Sequence, residues 1–164
     1  MPYKPLYPVL IFVTNNYQAV WFRLDEENKN KLQIIDKIID QKEQYSDAEG
    51  TYKTRSGGAT IRSGSAQDKN EEHRHETQQH LTKCGVKTQE FWNTHIYHKL
   101  FVVTPRMIKN QVKNELKKTI PNTELEFILG NFISEPSHKK LLSYLHNQLH
   151  SIEHPSTILI GISS

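Results

Sequence analysis

The chain has 164 residues, the usual length of one domain, and its 35% hydrophobic and 24% charged residues are typical of a water-soluble protein. A formal net charge of +3 permits a nucleic-acid partner but is too small to indicate one by itself. The single cysteine, Cys84, excludes an internal disulfide and a zinc site built on several cysteines.

The chain opens with an apolar run at residues 9–13 that favours a buried β-strand. The run is too short for a signal-peptide core, and no later run approaches the roughly 20 apolar residues of a membrane span. We therefore expect a cytoplasmic protein without a membrane span. Asn15 and Asn16 form a turn signal, and residues 19–22 resume with strand-favouring side chains, so the opening predicts a tight hairpin.

A third strand is predicted at residues 32–39, after a polar turn at 25–30. Four isoleucines in this stretch favour strand over helix because β-branched side chains fit a pleated sheet. From residue 41 to about 67 the apolar periodicity disappears and glycines recur. That composition predicts a long flexible loop.

A helix is predicted from near residues 65–68 to about residue 97. Its core face is formed by side chains at three- and four-residue spacing, namely Leu81, Cys84, Thr88, Phe91, Trp92 and His95. Gly85 could interrupt this helix. Residues 69–76 are polar on every side, so we expect the first half of the helix to project into solvent or onto a partner.

The second half of the chain alternates between strands and helices. Residues 100–103 predict a buried strand, after which Thr104 is expected to cap a helix with Pro105 at its first position, running to about residue 118. Residues 124–129 predict a further strand, and residues 158–160 a small edge strand. Between them Pro136 is expected to open a last helix, buried through Leu141, Leu142, Leu145 and Leu149.

The predicted order is three strands, a long helix, and then strand, helix, strand and helix. An antiparallel three-strand meander followed by right-handed βαβ crossovers gives a mixed sheet with helices on both faces. We therefore predict a single α/β domain over residues 1–164 with a ribonuclease H-like fold.

Three segments carry a resemblance to a known family. They are residues 12–22, residues 100–106, and the loop in which Arg55-Ser56-Gly57-Gly58-Ala59 and Arg62 precede a polar helix. Together they resemble the bacterial host-attachment family, described as proteins required for attachment to host cells. That family is related to the catalytic middle domain of archaeal and eukaryotic peptide release factors.

The resemblance implies a translation-associated protein that binds the ribosome or tRNA. In the release factors a Gly-Gly-Gln loop enters the peptidyl-transferase centre, where the glutamine positions water against the peptidyl-tRNA ester. The implied loop candidates for catalysis are Gly57, Gly58 and Ala59. The implied RNA-binding residues are Lys53, Arg55, Gly57, Gly58, Arg62, Lys69 and Arg74.

The glutamine position of that motif is occupied here by Ala59, according to the alignment that the resemblance suggests. A methyl group neither donates nor accepts a hydrogen bond, so standard peptidyl-tRNA hydrolysis is disfavoured. The family name leaves a second interpretation open, a protein-interaction factor with an indirect part in host attachment. Salt-sensitive copurification with ribosomes would favour the first interpretation, and RNA-independent binding to a defined protein the second.

Three other sets of residues bear on possible chemistry. Neither residues 9–13 nor residues 100–103 contain an Asp or Glu to hold Mg²⁺, which argues against a ribonuclease H-type nuclease. His73, Glu76 and His80 share a predicted helical face and are weak candidate metal ligands; a solvated helix is the favoured interpretation, and no cofactor is predicted. A lysine stripe that could pair with phosphates is likewise favoured as solvated, at Lys109, Lys113 and Lys117.

Overall fold

The computed structural model describes the backbone of residues 6–40 and 58–153, and the side chains of residues 6–40 and 74–152. Five strands form one mixed sheet in the order β3-β2-β1-β4-β5. The strands are β1 (Val9–Thr14), β2 (Gln18–Asp25), β3 (Asn28–Ile39), β4 (Lys99–Thr104) and β5 (Leu125–Leu129). β1, β2 and β3 are antiparallel neighbours, whereas β4 is parallel to β1 and β5 is parallel to β4.

Within the described residues, three α-helices connect and cover this sheet. They are α1 (Gly58–Thr94), α2 (Lys109–Thr119) and α3 (His138–Glu153), with short 3₁₀ turns at Arg106–Ile108 and Glu135–Ser137. The sheet order and strand directions are those of the predicted ribonuclease H-like fold, and this prediction is confirmed. In the residues that the structure describes, no helix combines the length and apolarity needed to cross a membrane.

Each face of the sheet has its own hydrophobic core. β1 is buried at every position because it is central and covered on both sides, and alternate residues of β1 therefore enter different cores. One core, the α3 face, joins Ile11, Phe22 and Val103 to Leu141 and Leu145 of α3. The opposite core, the α1–α2 face, is formed among others by Phe12, Trp21, Leu81, Cys84, Val102, Val112 and Leu116.

The long helix begins earlier than the sequence indicates. α1 starts at Gly58 and ends at Thr94, so residues 58–67 of the predicted loop are helical, while residues 41–57 lie outside the described part of the chain. Gly64 lowers helix propensity by only about 1 kcal/mol, which neighbouring helix formers such as Ala59 and Ala66 offset. The glycine-based boundary prediction was therefore wrong.

Gly85 does not interrupt α1. A Cβ added there would lie 3.4 Å from the backbone oxygen of Glu115, at the short end of ordinary van der Waals contact. The glycine instead permits a close approach between α1 and α2. Gly85 thus lies where α1 packs against α2, and its cost in helix propensity is modest.

Smaller corrections concern element ends. β3 begins at Asn28, because residues of the expected polar turn extend the β2–β3 hairpin with exposed side chains. Thr104 is the buried last residue of β4 and not a helix cap; its hydroxyl donates to the carbonyl of Pro105, which itself precedes the 3₁₀ turn. The predicted edge strand at residues 158–160 lies outside the described residues.

Candidate functional site

The carboxyl ends of β1 and β4 lie side by side at one edge of the sheet, where α/β proteins commonly bind ligands. α1 runs from this edge across the sheet. Thr88 of α1 lies over the middle of the sheet, where its hydroxyl accepts a 2.9 Å hydrogen bond from the indole Nε1 of Trp21. Earlier in α1, Thr77 accepts a 3.1 Å hydrogen bond from Asn16, just beyond the end of β1. Residues of α1 before Thr77 therefore continue past this edge.

The extent of that continuation follows from helix geometry. Thr77 is the first buried residue among the described side chains of α1. At about 1.5 Å per residue, the part of α1 that precedes Thr77 is roughly 28 Å long. The prediction that the first half of the helix leaves the domain core agrees with this geometry. Arg74, one turn before the sheet contact, is exposed.

A buried histidine joins α1 to the ends of two strands. His80 has no exposed side-chain surface; its Nδ1 lies 2.7 Å from Asp40 Oδ2, and its Nε2 lies 3.0 Å from Thr14 Oγ1. Thr14 ends β1 and Asp40 directly follows β3. Lys83, one turn along α1, forms an ion pair with the other oxygen of Asp40. We call Thr14, Asp40, His80 and Lys83 the histidine clamp.

The pKa shifts show which charges this cluster carries. Burial, the largest effect, lowers the pKa of His80 below its usual value, although Asp40 acts in the opposite direction. Partial burial by itself would raise the pKa of Asp40, but hydrogen bonds from Lys83 and His80 outweigh burial and lower it. Both pKa shifts are consistent with a neutral His80 imidazole whose Nδ1–H donates a hydrogen bond to an ionised Asp40. Burial also raises the pKa of Cys84, whose sulfur lies 3.6 Å from His80 Nε2, to about 12.

Carboxylate, imidazole and hydroxyl follow one another here in the order used for nucleophilic catalysis. Thr14 is nevertheless 1% exposed, and its hydroxyl lies within hydrogen-bond distance of the carbonyl oxygens of Asn15 and Gln18. Cys84 is fully buried and held as a neutral thiol by its raised pKa. Neither group is accessible to a substrate, so the histidine clamp positions α1 on the sheet and is not a catalytic centre.

Of the three candidate metal ligands, His80 is already engaged by other side chains. His80 points into the core and uses both ring nitrogens in the clamp, while the side chain of His73 lies outside the described side chains. In the part of the chain that the structure describes, no group of three His, Cys, Asp or Glu side chains is placed to hold a metal. The sequence carried a signal for the clamp, because Thr77, His80, Leu81, Cys84 and Thr88 follow the three- and four-residue spacing of a buried helix stripe.

A second polar cluster aligns α2 beside α1. Gln78 of α1 donates to the carboxylate of Glu115 and accepts a 3.3 Å hydrogen bond from Gln111. Further along the same two helices, Gln89 donates to the carbonyl of Thr119 at 2.9 Å. Contacts that advance along both helices together show that α1 and α2 are parallel. The amino end of α2 therefore lies at the same sheet edge that α1 crosses.

An open depression of about 420 Å³ on this surface is lined by Gln78, Gln79, Thr82 and Lys83. The lining consists of two amides, a hydroxyl and a lysine whose ammonium group is paired with Asp40. It offers no nucleophile or general base.

The implied RNA-binding residues are only partly described. Lys53, Arg55 and Gly57 lie outside the described residues, and Gly58 and Ala59 begin α1. Arg62 and Lys69 lie within α1, but their side chains are not among those described; Arg74 is exposed and belongs to no ion pair among the described side chains.

No family model and no curated protein matches the chain. Among solved structures, the chain is similar to a member of the Ppx/GppA protein family from Aquifex aeolicus, with 17% identity and a TM-score of 0.34. The similarity covers 76% of this chain and 36% of that one, so this chain spans little more than a third of that protein's length. A likeness at this level says nothing about activity.

Proposed function

We propose that this chain is a translation-associated protein that binds the ribosome or tRNA through the amino-terminal half of α1 and the basic segment before it. The observation that supports this most is the path of α1, which passes the sheet edge where β1 and β4 end. Basic residues at positions 62, 69 and 74 lie along this extension. Asp68, Glu71, Glu72 and Glu76 lie on the same stretch, so the proposal is supported by the path of the helix and by the basic residues before it, and not by a positive net charge of the helix.

The release-factor resemblance agrees with this location. Residues 12–22 form β1, its turn and the start of β2, and residues 100–106 form β4 and its exit. These two segments are neighbours in the sheet, and Asn16, in the turn between β1 and β2, contacts Thr77 of α1. Two of the segments that carry the resemblance are therefore neighbours in the sheet, and the helix that follows the third contacts one of them.

We propose binding without standard peptidyl-tRNA hydrolysis. Ala59 supplies no amide at the position where the resemblance expects glutamine. Neither β1 nor β4 contains a carboxylate for metal-dependent phosphodiester cleavage, so nuclease chemistry is not an alternative at this edge. A protein of this type would act on the ribosome or tRNA by occupying a site.

The proposal is tested by sedimenting the tagged full-length protein through a sucrose gradient of cell lysate at low and moderate salt, with and without nuclease. We expect comigration with ribosomal particles that weakens as salt rises, because cationic contacts release counterions from RNA. Substitution of Arg62, Lys69 and Arg74 by Ala should shift the protein to the top of the gradient.

A matched control removes the same charge elsewhere. Lys31 in β3 and Lys139 and Lys140 in α3 are exposed and lie away from α1, so their triple Ala variant should sediment like the wild-type protein. Wild-type protein that stays at the top of the gradient under every condition would reject the ribosome proposal. Equal losses in both variants would show a general charge effect instead of a site.

A protein-interaction role is a second candidate, favoured by one observation. β3 is an edge strand of the sheet, and Ile34 and Ile39 on it are 52% and 58% exposed. Exposed apolar side chains on an edge strand are common at protein interfaces. Copurification with a defined protein that survives nuclease treatment and depends on Ile34 and Ile39 would support this candidate over ribosome binding.

A further inference from the structure

The exposed face of α2 carries cations without acids. α2 contains one carboxylate, Glu115, and that residue is only 5% exposed. Its oxygens accept hydrogen bonds from Gln78 of α1 and from Lys118, at 2.9 Å for the latter. The carboxylate therefore faces α1 and neutralises one lysine there. Nothing acidic in α2 is left to balance the lysines on the outer face.

The remaining cations lie along the outside of this helix. Arg106 in the preceding turn, Lys113 and Lys117 are exposed, and Lys109 is half-buried with its ammonium group 5.1 Å from the ring centre of Phe127. Residues 109, 113 and 117 are four apart and so share one side of the helix. Exposed Asn110 and Asn114 lie beside them and add neutral hydrogen-bond donors.

Several other surface lysines of the protein are paired with acids. Lys83 is paired with Asp40, Lys87 with Asp36 at 2.8 Å, and Lys99 with Glu126 at 3.2 Å. Among the described side chains, Arg106, Lys109, Lys113 and Lys117 have no carboxylate within 4.0 Å. The sequence alone favoured a solvated stripe here, because it could not show that Glu115 is buried on the opposite side.

The amino end of this face lies near the edge of the sheet that α1 crosses. The parallel packing of α1 and α2 sets the amino end of α2, with Arg106, at the sheet edge that α1 crosses. Arg74 is one turn before Gln78, and Gln78 contacts Gln111 one turn into α2. Arg74 and the amino end of α2 therefore lie near the same edge of the sheet, while residues 109, 113 and 117 lie on the side of α2 away from Glu115.

We infer that Arg106, Lys113 and Lys117 form a second RNA contact surface, which binds the phosphodiester backbone beside the contact made by α1. The inference rests on the proposed function, since that proposal supplies RNA as the partner. The surface offers positive charge, no exposed carboxylate of its own helix, and amides between the cations. That chemistry fits a polyanionic backbone and carries no base specificity.

The test measures binding of the full-length protein to a labelled single-stranded oligouridylate, by fluorescence anisotropy over a range of salt concentrations. In the variant with Arg106, Lys113 and Lys117 replaced by Gln, we expect affinity at low salt to fall roughly tenfold or more. The slope of log affinity against log salt should become shallower by about two, since each lost phosphate contact on a single strand accounts for about 0.7. All three side chains are exposed, so the melting temperature should stay close to that of the wild-type protein.

The control variant replaces Lys31, Lys139 and Lys140 by Gln and removes the same charge from other surfaces. An unchanged slope in this control, beside a shallower slope in the α2 variant, supports the inference. Equal slopes in the two variants overturn it, as does a wild-type protein that binds no RNA at the lowest salt. If substitutions in α1 abolish ribosome sedimentation while the α2 variant binds RNA like wild type, the proposed function stands and this inference fails.

Discussion

The two faces of the sheet are held by different forces. The α3 face is closed by leucines, with Leu141, Leu145 and Leu149 of α3 packed on apolar strand residues. On the α1–α2 face, polar groups are buried with the apolar ones, and each has a specific partner. Thr88 accepts from Trp21, and His80 joins Thr14 to Asp40. Apolar packing tolerates small shifts, whereas a buried polar group destabilises any register that leaves it unpaired.

This difference matches the composition of the helices. α3 has an apolar stripe at four-residue spacing, so burial alone sets its orientation. α1 contains few large apolar residues for its 37-residue length. The hydrogen bonds that Thr77 and Thr88 accept, together with those of His80, supply the register that apolar contacts leave loosely defined. The helix proposed to contact RNA is thus fixed at its base by polar side chains.

The largest expected effect on the free energy of unfolding comes from truncating a buried leucine on the α3 face. Leu145→Ala should lower the free energy of unfolding by about 3 kcal/mol, because Leu145 is fully buried and its truncation leaves a cavity. Urea denaturation followed by circular dichroism measures this. Leu142→Ala on the same helix is the matched control, and its half-buried side chain should give a clearly smaller loss. Similar losses in both variants would mean that α3 is not anchored by its leucine stripe.

Sequence patterns predicted the apolar parts of this fold well. The unbroken apolar run at residues 9–13 predicted the buried strand β1. The four-residue spacing of the leucines predicted the helix α3, because buried positions recur once per helical turn. The start of α1 was misplaced because glycine was given more weight than its helical neighbours. The clamp was missed because His80 and Asp40 are 40 residues apart, and no local pattern shows a hydrogen-bond partner so distant in sequence.

A smaller effect is expected from one polar contact on the α1–α2 face. Thr88→Val keeps the side-chain shape but removes the acceptor for Trp21 Nε1, which is fully buried. An unpaired buried donor should lower the free energy of unfolding by about 1–2 kcal/mol. Thr82→Val on the same helix is the control, since Thr82 is exposed and its loss should be near zero. If Thr88→Val leaves the free energy of unfolding unchanged, apolar burial alone holds α1 on the sheet. The two faces of the sheet would then be stabilised in the same way.

The smallest expected effect is on the pH dependence of stability. The groups around His80 are Thr14 from β1, Asp40 after β3, and Lys83 and Cys84 from α1. Burial lowers the pKa of His80 in the folded protein, so just below pH 6.5 the unfolded chain binds the extra proton more readily. The contribution of His80 is therefore complete above about pH 6.5 and is lost as the pH falls through the lower pKa of the folded state.

The measurement is the free energy of unfolding in urea between about pH 5 and pH 8, for the wild-type protein and for His80→Asn. We expect the wild-type value to rise with pH in the lower part of this range, and the variant to show a flatter profile at lower overall stability. Because the pKa of Asp40 is lowered, Asp40 titrates at a more acidic pH and does not contribute to the slope in this range. If His80→Asn keeps the wild-type slope, the titrating group is another of the nine histidines, and a neutral His80 is not what stabilises the clamp.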